Sequence, residues 1–598
     1  MGSQLREALK SLGLAAVQAD TAVKKSAQAK ERIASPPRQN AARNSMKKDI
    51  PSSWGAVEKG NPQVKSQRSR IEAKIDASGA NPIDRKSSGL PTGRAASSKP
   101  VPPVADPDFQ LEKTGEFRPH PLFVKEIFEQ RDLIVPDLFG VSRQLAEVPQ
   151  DETDLIIGLD FGTSATKMVI RDAYSGTVFP VEVNSSAHGV DRFLQASCVF
   201  YDEVAFALSG KGVRLDDLKL SLLACKSALP VTEFNHSCAY LALMIRKARG
   251  WLLTEHEAVY RNHKLNWHIN VGIAARSYQD DAQVQLFRRL AWAAANLAAD
   301  GRYPHITQDA VEHYRKVSQH AFGNKVPEET FAMEFAPSNV GVVPEVSAQI
   351  QGFMTSARWD WKNRPIMMLV DVGAGTVDTA LFHVNPSDGK LTFYSSRVEP
   401  NGAMNLHRER VCWLIHGVPD AIDFLPVQEY LKSIAQPTGR LQPIPIDVAD
   451  YLPGYRISKV SANVDEKFRL EKYRYQVAGS LNEAKVKKGI GAKGSQQLRD
   501  VPLLLCGGGS RLPIYSTIAA EINRTPGWNV SVEKTMMPVP SELKDTGWHL
   551  EDFDRISVAY GLSLQQSLEK IVRAIDVPDF ARLVSTETAD RYVSKDHI

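Results

Sequence analysis

The sequence predicts an α/β protein with two lobes, each built around a glycine-rich β-hairpin. Residues 155–170 (LIIGLDFGTSATKMVI) and 367–382 (MMLVDVGAGTVDTALF) each run from an apolar strand through an Asp-x-Gly turn into a second strand. Two apolar segments around a tight glycine-containing turn are typical of a hairpin. A third glycine-rich segment, 503–515 (LLLCGGGSRLPIY), also follows an apolar strand. The length of 598 residues and the 43% hydrophobic content suit two or three domains with buried cores.

The remaining elements follow each hairpin in order. The first lobe is predicted to contain strands at 155–160 and 167–171, an inserted subdomain to about 265, and a helix at 281–299. The second lobe is predicted to contain strands at 366–371 and 378–384, a helix at 403–415, an insertion through about 498, and a return through 501–566. Pro and Gly cluster at 416–456, which indicates an irregular outer part of the second lobe, where partner specificity can reside.

The two hairpin turns have the composition of a phosphate-binding site. Gly162, Gly373 and Gly375 permit a tight turn and let a phosphate approach the backbone closely. Consecutive backbone N–H groups that point inward form an anion-binding nest. The hydroxyl groups that could add hydrogen bonds to phosphate are those of Thr163, Ser164 and Thr376. An ordinary glycine turn is the simpler interpretation of either hairpin alone.

Asp160 and Asp371 occupy the same position in the two turns. A carboxylate repels a phosphate, so neither is suited to direct contact with one. Mg²⁺ retains several waters and is held by a few carboxylates. The pair therefore predicts a magnesium ion between the turns and a bound phosphate.

Seven segments in this order resemble the DnaK-type heat-shock protein family of the actin, sugar-kinase and heat-shock ATPase superfamily. Besides the three glycine-rich segments, residues 271–297 are similar to the family's strand, aromatic turn and Asp-x-Gln helix, and residues 342–353 to its Asn-Glu-Pro-Thr helix. NGAMNL at 401–406 resembles its Gly-Gly-x-x-Phe-Asp turn, and residues 555–566 resemble its closing helix. The resemblance implies a two-lobed actin-like ATPase fold of duplicated ribonuclease-H-like domains with inserted subdomains, over 153–365 and 366–566.

The resemblance also implies roles for the matched residues. Glu345 stands where the family has its catalytic glutamate, and Asp378 would help it to orient or deprotonate the attacking water. For the phosphate-contacting lysine, Lys226 is the first candidate and Lys219 the alternative. The residues implied to bind nucleotide are Gly162, Thr163, Ser164, Gly373, Ala374, Gly375, Thr376, Lys485, Gly508, Gly509 and Arg511, and those implied to bind magnesium are Asp160 and Asp371. Two simpler alternatives stay open: Asp378 could only cap its hairpin, and Arg511 could only form surface ion pairs.

The chain departs from the family pattern at several positions. Ala374 replaces a phosphate-loop glycine, and its methyl group fits there if the backbone is not left-handed. In the segment that resembles the adenosine-binding helix, Asn482 replaces the acid, Val486 the arginine and Gly489 the serine, so that Lys485 alone matches. These changes predict weaker nucleotide affinity or looser base selectivity.

The N-terminal region differs from the rest in charge. Residues 1–100 hold 19 Lys and Arg against 8 Asp and Glu, whereas the rest holds 54 against 61. With few aromatic residues, residues 1–105 are predicted to be a disordered basic extension, which could make weak contacts with nucleic acid or acidic proteins. A solvated tail with no partner is the simpler alternative. Residues 106–152 regain aromatic and branched side chains, which predicts a strap that packs on the core.

Other features of the sequence predict the cellular location and the structure of residues 567–598. The sequence has no secretory signal core and no apolar run long enough to span a membrane, so a cytoplasmic protein without membrane contact is expected. The five cysteines are scattered, which predicts neither a disulfide framework nor a zinc site. Residues 567–598 are expected to form a short helix and tail, with no room for the peptide-binding domain of the chaperones.

The sequence therefore predicts a Mg-dependent ATPase that uses ATP/ADP and Mg²⁺ and acts as a chaperone-like conformational switch on a protein partner or client. The alternatives are an actin-like polymerising ATPase and a nucleotide-binding scaffold with negligible turnover. A small-molecule kinase of the same superfamily ranks last because no sugar-kinase signature stands at 230–270.

Overall fold

The structure is a computed structural model of the chain. It describes residues 109–123, 149, 151–210, 212–224, 231–323, 333–354, 366–385, 390–435, 443–457, 464–488, 490, 498–543, 547–564 and 571–577. Every described residue belongs to one compact unit of the chain. The predicted basic extension, residues 1–105, lies outside the described residues.

The described residues contain strands and helices in mixed order, which confirms the predicted α/β class. The strands are β1 (Leu111–Lys113), β2 (Asp151–Phe161), β3 (Ala165–Asp172), β4 (Val178–Pro180), β5 (Gln195–Ala196), β6 (Val199–Tyr201), β7 (Ala205–Ala207), β8 (Val213–Leu215), β9 (His263–Ile273), β10 (Ile306–Thr307), β11 (Val340–Pro344), β12 (Ile366–Val372), β13 (Val377–Val384), β14 (Leu391–Glu399), β15 (Tyr455–Ile457), β16 (Val501–Cys506), β17 (Val532–Thr535) and β18 (Ile571–Val572).

The α-helices that join and cover these strands are α1 (Leu218–Ala224), α2 (Val231–Glu255), α3 (Glu257–Tyr260), α4 (Asp281–Ala299), α5 (Gln308–Ala321), α6 (Glu345–Met354), α7 (Ala403–Gly417), α8 (Leu425–Ile434), α9 (Val464–Phe468), α10 (Arg474–Asn482), α11 (Pro513–Ser516), α12 (Ile518–Arg524) and α13 (Ser557–Ser563). Two π-helical turns, Arg469–Tyr473 and Glu483–Lys487, make 464–487 one continuous helix with α9 and α10.

Two six-stranded sheets share the same arrangement of strands. In the first, the order is β11-β9-β2-β3-β4, with β5 also paired to β3, and in the second it is β17-β16-β12-β13-β14-β18. In each sheet the first three strands of this order run parallel to one another. The third of them is also the first strand of an antiparallel hairpin, β2 with β3 in the first sheet and β12 with β13 in the second. The middle of each hairpin strand is an unbroken buried apolar run, because helices or the other sheet cover both faces.

Two helices lie between the sheets and bring their cores together. α6 and α13 contribute Val346, Ile350, Ala559 and Tyr560 to a buried cluster that also contains side chains of both sheets. The backbones approach so closely that a Cβ atom on Gly158 would collide with the carbonyl of Ala559, and one on Gly561 with that of Ala348. This packing fixes β2, an interior strand of the first sheet, against α13, and α13 against α6.

Smaller elements surround the two sheets. The inserted part of the first half contains a four-stranded sheet, β10-β7-β6-β8, and helices α2, α4 and α5 cover the first sheet. The described residues 403–435 and 443–457, with α7, α8 and β15, form the outer subdomain, and its buried cluster also includes Phe123 and Val464. β1 pairs antiparallel with β15, so part of the predicted 106–152 strap packs on this subdomain.

Some details differ from the sequence-based expectations. β2 begins at Asp151, two residues before the predicted start of the first lobe. Of the predicted C-terminal helix, the described residues 571–577 form strand β18 and a single 3-10 turn instead, because β-branched Ile571 and Val572 pair with β14. Among the described residues, Cys198, Cys238, Cys412 and Cys506 are free thiols. Within the described part of the chain, no helix is long and apolar enough to cross a membrane.

Candidate functional site

The turns of the two hairpins meet in the folded chain. The segments DFGTSATK (160–167) and DVGAGTVD (371–378) have equal length, and each closes a hairpin of one sheet. A Cβ atom on Gly375 would lie 2.9 Å from Thr163 Cγ2, so the two turns are in direct contact. The structure thus places the first turn, with Gly162, Thr163 and Ser164, next to the second turn, with Gly373, Ala374, Gly375 and Thr376.

In the first turn, Asp160 pairs with a lysine that the sequence analysis did not select. Asp160 and Lys167 face each other across the β2-β3 ladder, and Lys167 Nζ donates to Asp160 Oδ2 at 2.9 Å. Ser197 holds the turn in place, since its hydroxyl donates to the carbonyl of Gly162 at 2.7 Å and its N–H to that of Ser164 at 3.0 Å. The register of the hairpin is the signal that could have identified Lys167.

The second turn is held by the first turn of α7. The N–H groups of Ala403 and Met404 donate to the carbonyls of Gly373 and Ala374 at 3.0 and 2.8 Å, and the side-chain amide of Asn405 donates to the carbonyl of Gly375. Ala374 does not have a positive φ, so the methyl group causes no backbone strain, as expected. These hydrogen bonds fix the conformation of the turn against the start of α7.

Between the turns, Lys219 pairs with Glu345. Lys219 lies in α1, only 5% exposed, and its Nζ donates to Glu345 Oε1 at the first residue of α6. Burial alone would lower the pKa of Lys219, but the negative charges of Glu345, Asp160 and Asp378 raise it above its usual value. Lys219 is therefore a fixed cation among carboxylates. Lys226, the first candidate for a phosphate-contacting lysine, lies outside the described residues.

Asp371 and Asp378 face each other across the second hairpin. Asp371 accepts a hydrogen bond from Gln349 Nε2 at 2.9 Å, and burial, with the charges of Glu345 and Asp160, raises its pKa to about 7. Burial and the charges of Glu345 and Asp371 also raise the pKa of Asp378 well above its usual value. Asp378 Oδ1 is buried and has no hydrogen-bond partner, whereas Oδ2 accepts from the Thr376 hydroxyl at 3.4 Å.

The charges in this cluster fit a hydrated divalent cation. Asp160, Asp371, Asp378 and Glu345 are four carboxylates, and two lysines, Lys167 and Lys219, pair with them. Among the described residues no group of three or more His, Cys, Asp or Glu forms a ready-made metal site. Mg²⁺ requires no such cage, because it keeps most of its waters and uses one or two carboxylates. Burial, followed by the charges of Glu345 and Asp160, raises the pKa of Asp371, and the buried Asp378 Oδ1 has no hydrogen-bond partner, so both carboxyl groups could be stabilised by a cation.

The third glycine-rich segment lies beside the second turn. Gly507 has a φ of +83° and lies directly against Asp371 Oδ1. A Cβ atom would collide with that oxygen, so only glycine fits at this position. Gly508 and Gly509 belong to the 3-10 turn Gly508–Arg511, in which Gly509 packs against Val372. The segment thus borders the carboxylate cluster through Gly507.

Arg511 and Lys485 have protein partners in the structure. The Arg511 guanidinium donates to Asp554 at 2.8 Å and to Asp552 at 3.0 Å, which corresponds to the surface ion-pair alternative. Lys485 Nζ donates to the carbonyl of Trp528. In the same π-helical turn, Glu483 accepts from Arg397 Nε at 3.3 Å. The acid Glu483 therefore lies one residue beyond Asn482. The π turn changes the helical spacing from that of an α-helix, on which the resemblance of this segment is based.

A comparison with protein-family models found none that matches the chain, and a comparison with curated proteins found no match.

Proposed function

We propose that this protein is a Mg-dependent ATPase with a two-lobed actin-like fold, in which ATP binding and hydrolysis move the lobes to control a protein partner. The observation that carries the proposal is the contact between two equivalent hairpin turns, with Asp160 and Asp371 at matching positions. The repeated strand order of the two six-stranded sheets supports a duplicated fold of this type.

The polyphosphate of ATP would lie along the two turns. Backbone N–H groups and the hydroxyls of Thr163, Ser164 and Thr376 are the donors that such a ligand requires. Lys167 and Lys219 add positive charge to the site, and their low solvent exposure strengthens their attraction for phosphate. Phosphate oxygens would compete with Asp160 and Glu345 for these lysines.

A magnesium ion would be held through its waters by Asp160 and Asp371, and when bound it neutralises charge on the phosphates. Gln349 and Gly507 keep Asp371 in position for this role, since one donates to it and the other leaves room for it.

Hydrolysis transfers the γ-phosphoryl group to water. A bond forms between the water oxygen and the γ-phosphorus, the bond to the β,γ-bridging oxygen breaks, and ADP leaves with that electron pair. The proton of the attacking water needs a nearby acceptor. Asp378 offers the buried oxygen Oδ1, which has no other partner, and Glu345 is held beside it by Lys219.

The lobes would transmit this chemistry to a partner through α6 and α13. Glu345 begins α6, and α13 packs against both α6 and β2, so a change at the phosphates acts on the contact between the sheets. On the nucleoside side, Arg511 and Lys485 are engaged by protein groups, which supports looser recognition of adenosine than in the heat-shock chaperones.

Two variants separate binding from turnover. Glu345→Ala should slow phosphate release more than it weakens binding of a fluorescent ATP analogue, whereas Asp160→Asn should weaken Mg-dependent binding and turnover together. Glu257→Gln, an exposed carboxylate outside the cluster, is the matched control and should behave as wild type. ATP binding with no turnover in the wild type would favour the scaffold alternative, and no ATP binding at all would refute the proposal.

A further inference from the structure

Residues 109–123, here called the anchor segment, are held by the outer subdomain in the manner of a bound peptide. Most of their side chains are exposed, and the contacts come from widely spaced apolar residues. Phe123 is 1% exposed, while Phe109, Leu111 and Phe117 are partly buried against the cluster of the outer subdomain. Residues 109–120 are not helical, and residues 121–123 begin a helix. A segment that contributes only spaced side chains to a core resembles a ligand in a groove.

The groove has a seat for the ring of Phe109. This ring lies edge-on to Trp413, with ring centroids 4.9 Å apart. A Cβ atom on Gly417, the last residue of α7, would come within 2.6 Å of the Phe109 ring atoms. Any side chain at 417 would therefore close the seat.

The groove also binds the backbone of the anchor segment. Leu111 to Lys113 pair antiparallel with β15, and the N–H groups of Thr114 and Gly115 donate to the carbonyl of Gly454 at 2.9 and 3.0 Å. Gly454 has a φ of +90°, and a Cβ atom there would lie 2.5 Å from the carbonyl oxygen of Glu116. The backbone of the outer subdomain at Gly454 thus leaves room for the backbone of the anchor segment.

Two further rings complete the binding. Phe117 packs against Tyr430 with ring centroids 5.5 Å apart, and Phe123 packs against Tyr451 and His407, each at 5.6 Å. The Tyr430 hydroxyl accepts a hydrogen bond from the N–H of His120 at 3.3 Å. Tyr430 therefore contacts both the side chains and the backbone of the segment.

We propose that the outer subdomain is a docking site for an extended aromatic peptide, that residues 109–123 are its occupant in the same chain, and that a partner protein binds by presenting the same spacing of aromatic residues in their place. Within the described residues, the strand of the anchor segment pairs with β15 in a separate two-stranded sheet, so its exchange breaks no strand pairing of either six-stranded sheet. The proposal does not depend on nucleotide hydrolysis.

The first test measures binding of a fluorescent peptide of residues 107–125 to the full chain by polarisation. In the wild type the anchor segment competes at a high local concentration, so the free peptide should bind at least about tenfold more weakly than to a Phe117→Ala/Phe123→Ala chain. A peptide with the same two substitutions should not bind. A peptide with Arg118→Ala, whose side chain is 78% exposed, should bind like the native peptide. Failure of the native peptide to bind the doubly substituted chain, with its thermal transition retained, would overturn the proposal.

A second test keeps every groove contact native. A protease recognition sequence inserted between residues 140 and 141 allows the anchor segment to be separated from the rest of the full chain. The cleaved protein should bind the fluorescent peptide saturably, and Gly417→Val in the same chain should abolish that binding by filling the Phe109 seat. If the peptide does not bind, or if the substituted peptide binds equally well, residues 109–123 are a permanent part of the core.

Discussion

The contact between the two hairpin turns can be tested by adding one methyl group to Gly375. The Cβ atom of Gly375→Ala would lie 2.9 Å from Thr163 Cγ2 and 3.1 Å from Leu220 Cδ1. Normal carbon–carbon contacts are about 3.5–4.0 Å, so the overlap with Thr163 is roughly 0.6–1 Å. Gly375 does not have a positive φ, and alanine therefore adds no backbone strain of its own. The expected effect is to push the two turns apart.

The magnitude follows from the stiffness of the residue that must move. Leu220 can shift the end of a flexible side chain, but Thr163 is β-branched and has few χ1 alternatives. Overpacking of this kind costs about 1–3 kcal/mol. If the turns must meet for ATP to bind, that cost corresponds to roughly 5- to 150-fold weaker nucleotide affinity.

The assay is titration with a fluorescent ATP analogue in the presence of Mg²⁺, with thermal unfolding as a check on the fold. Thr163→Ser removes Cγ2 and keeps the hydroxyl, so the double variant with Gly375→Ala should recover most of the lost affinity. Gly527→Ala, with nothing within 4 Å of its added Cβ, is the control. Unchanged affinity in Gly375→Ala, or a loss that Thr163→Ser does not restore, would refute the reasoning.

Three further predictions concern buried charge and backbone geometry. Lys219→Met should reduce single-turnover phosphate release by at least about 100-fold, because it removes a fixed positive charge from the site where negative charge develops. Release at the wild-type rate would contradict a role for Lys219 in stabilising that charge. Gly507→Ala should lower the free energy of unfolding in urea by about 1–3 kcal/mol, since its backbone conformation is available to glycine only, whereas Gly508→Ala, whose nearest neighbour atom is at 3.9 Å, should have a smaller effect. Burial lowers the pKa of Lys247 to about 8 in the folded chain, so the unfolded chain binds more protons between pH 8 and the usual lysine pKa, and stability contributed by this residue rises with pH across that window. The free energy of unfolding of the wild type should gain about 2 kcal/mol more than that of Lys247→Met between pH 7.5 and 9.5, and equal gains would contradict the assignment.

The sequence was most informative where local pattern determines local structure. The hairpin strands predicted at 155–160 with 167–171 and at 366–371 with 378–384 correspond to β2 with β3 and to β12 with β13. The predicted helix at 281–299 agrees with α4, because Asp280 caps it and accepts from the N–H of Ala282. Glu345 begins α6 directly after β11, within the segment 342–353 that the sequence likens to a helix of the heat-shock family.

The partners within the site were harder to predict because they depend on contacts between distant segments. Lys219 meets Glu345 across 126 positions of the chain, and no local pattern distinguishes it from Lys226. Lys167 could have been found from hairpin register alone, as the residue opposite Asp160. The pairing of Arg511 with Asp552 and Asp554 depends on the approach of residues 550–555 to the third glycine-rich segment.

Irregular helix geometry limited the prediction on the adenosine side. The comparison of residues 482–489 assumed α-helical spacing, but Glu483–Lys487 form a π turn, which places one extra residue in the helix. Short-range pattern does not reveal such a turn, because the residues of a π turn are also good α-helix formers. The sequence pattern therefore does not identify Glu483 as the acid of this segment, although Arg397 pairs with it.

The most direct test of the ATPase proposal is phosphate release from ATP by purified wild type and by Asp371→Asn, with and without Mg²⁺. The substitution keeps the size of a half-buried side chain that accepts from Gln349, so the fold should be retained. The proposal predicts slow release that requires Mg²⁺ and is lost in the variant. Equal release by both proteins would mean that a contaminating enzyme is responsible, and absence of both release and ATP binding in the wild type would contradict the proposed function.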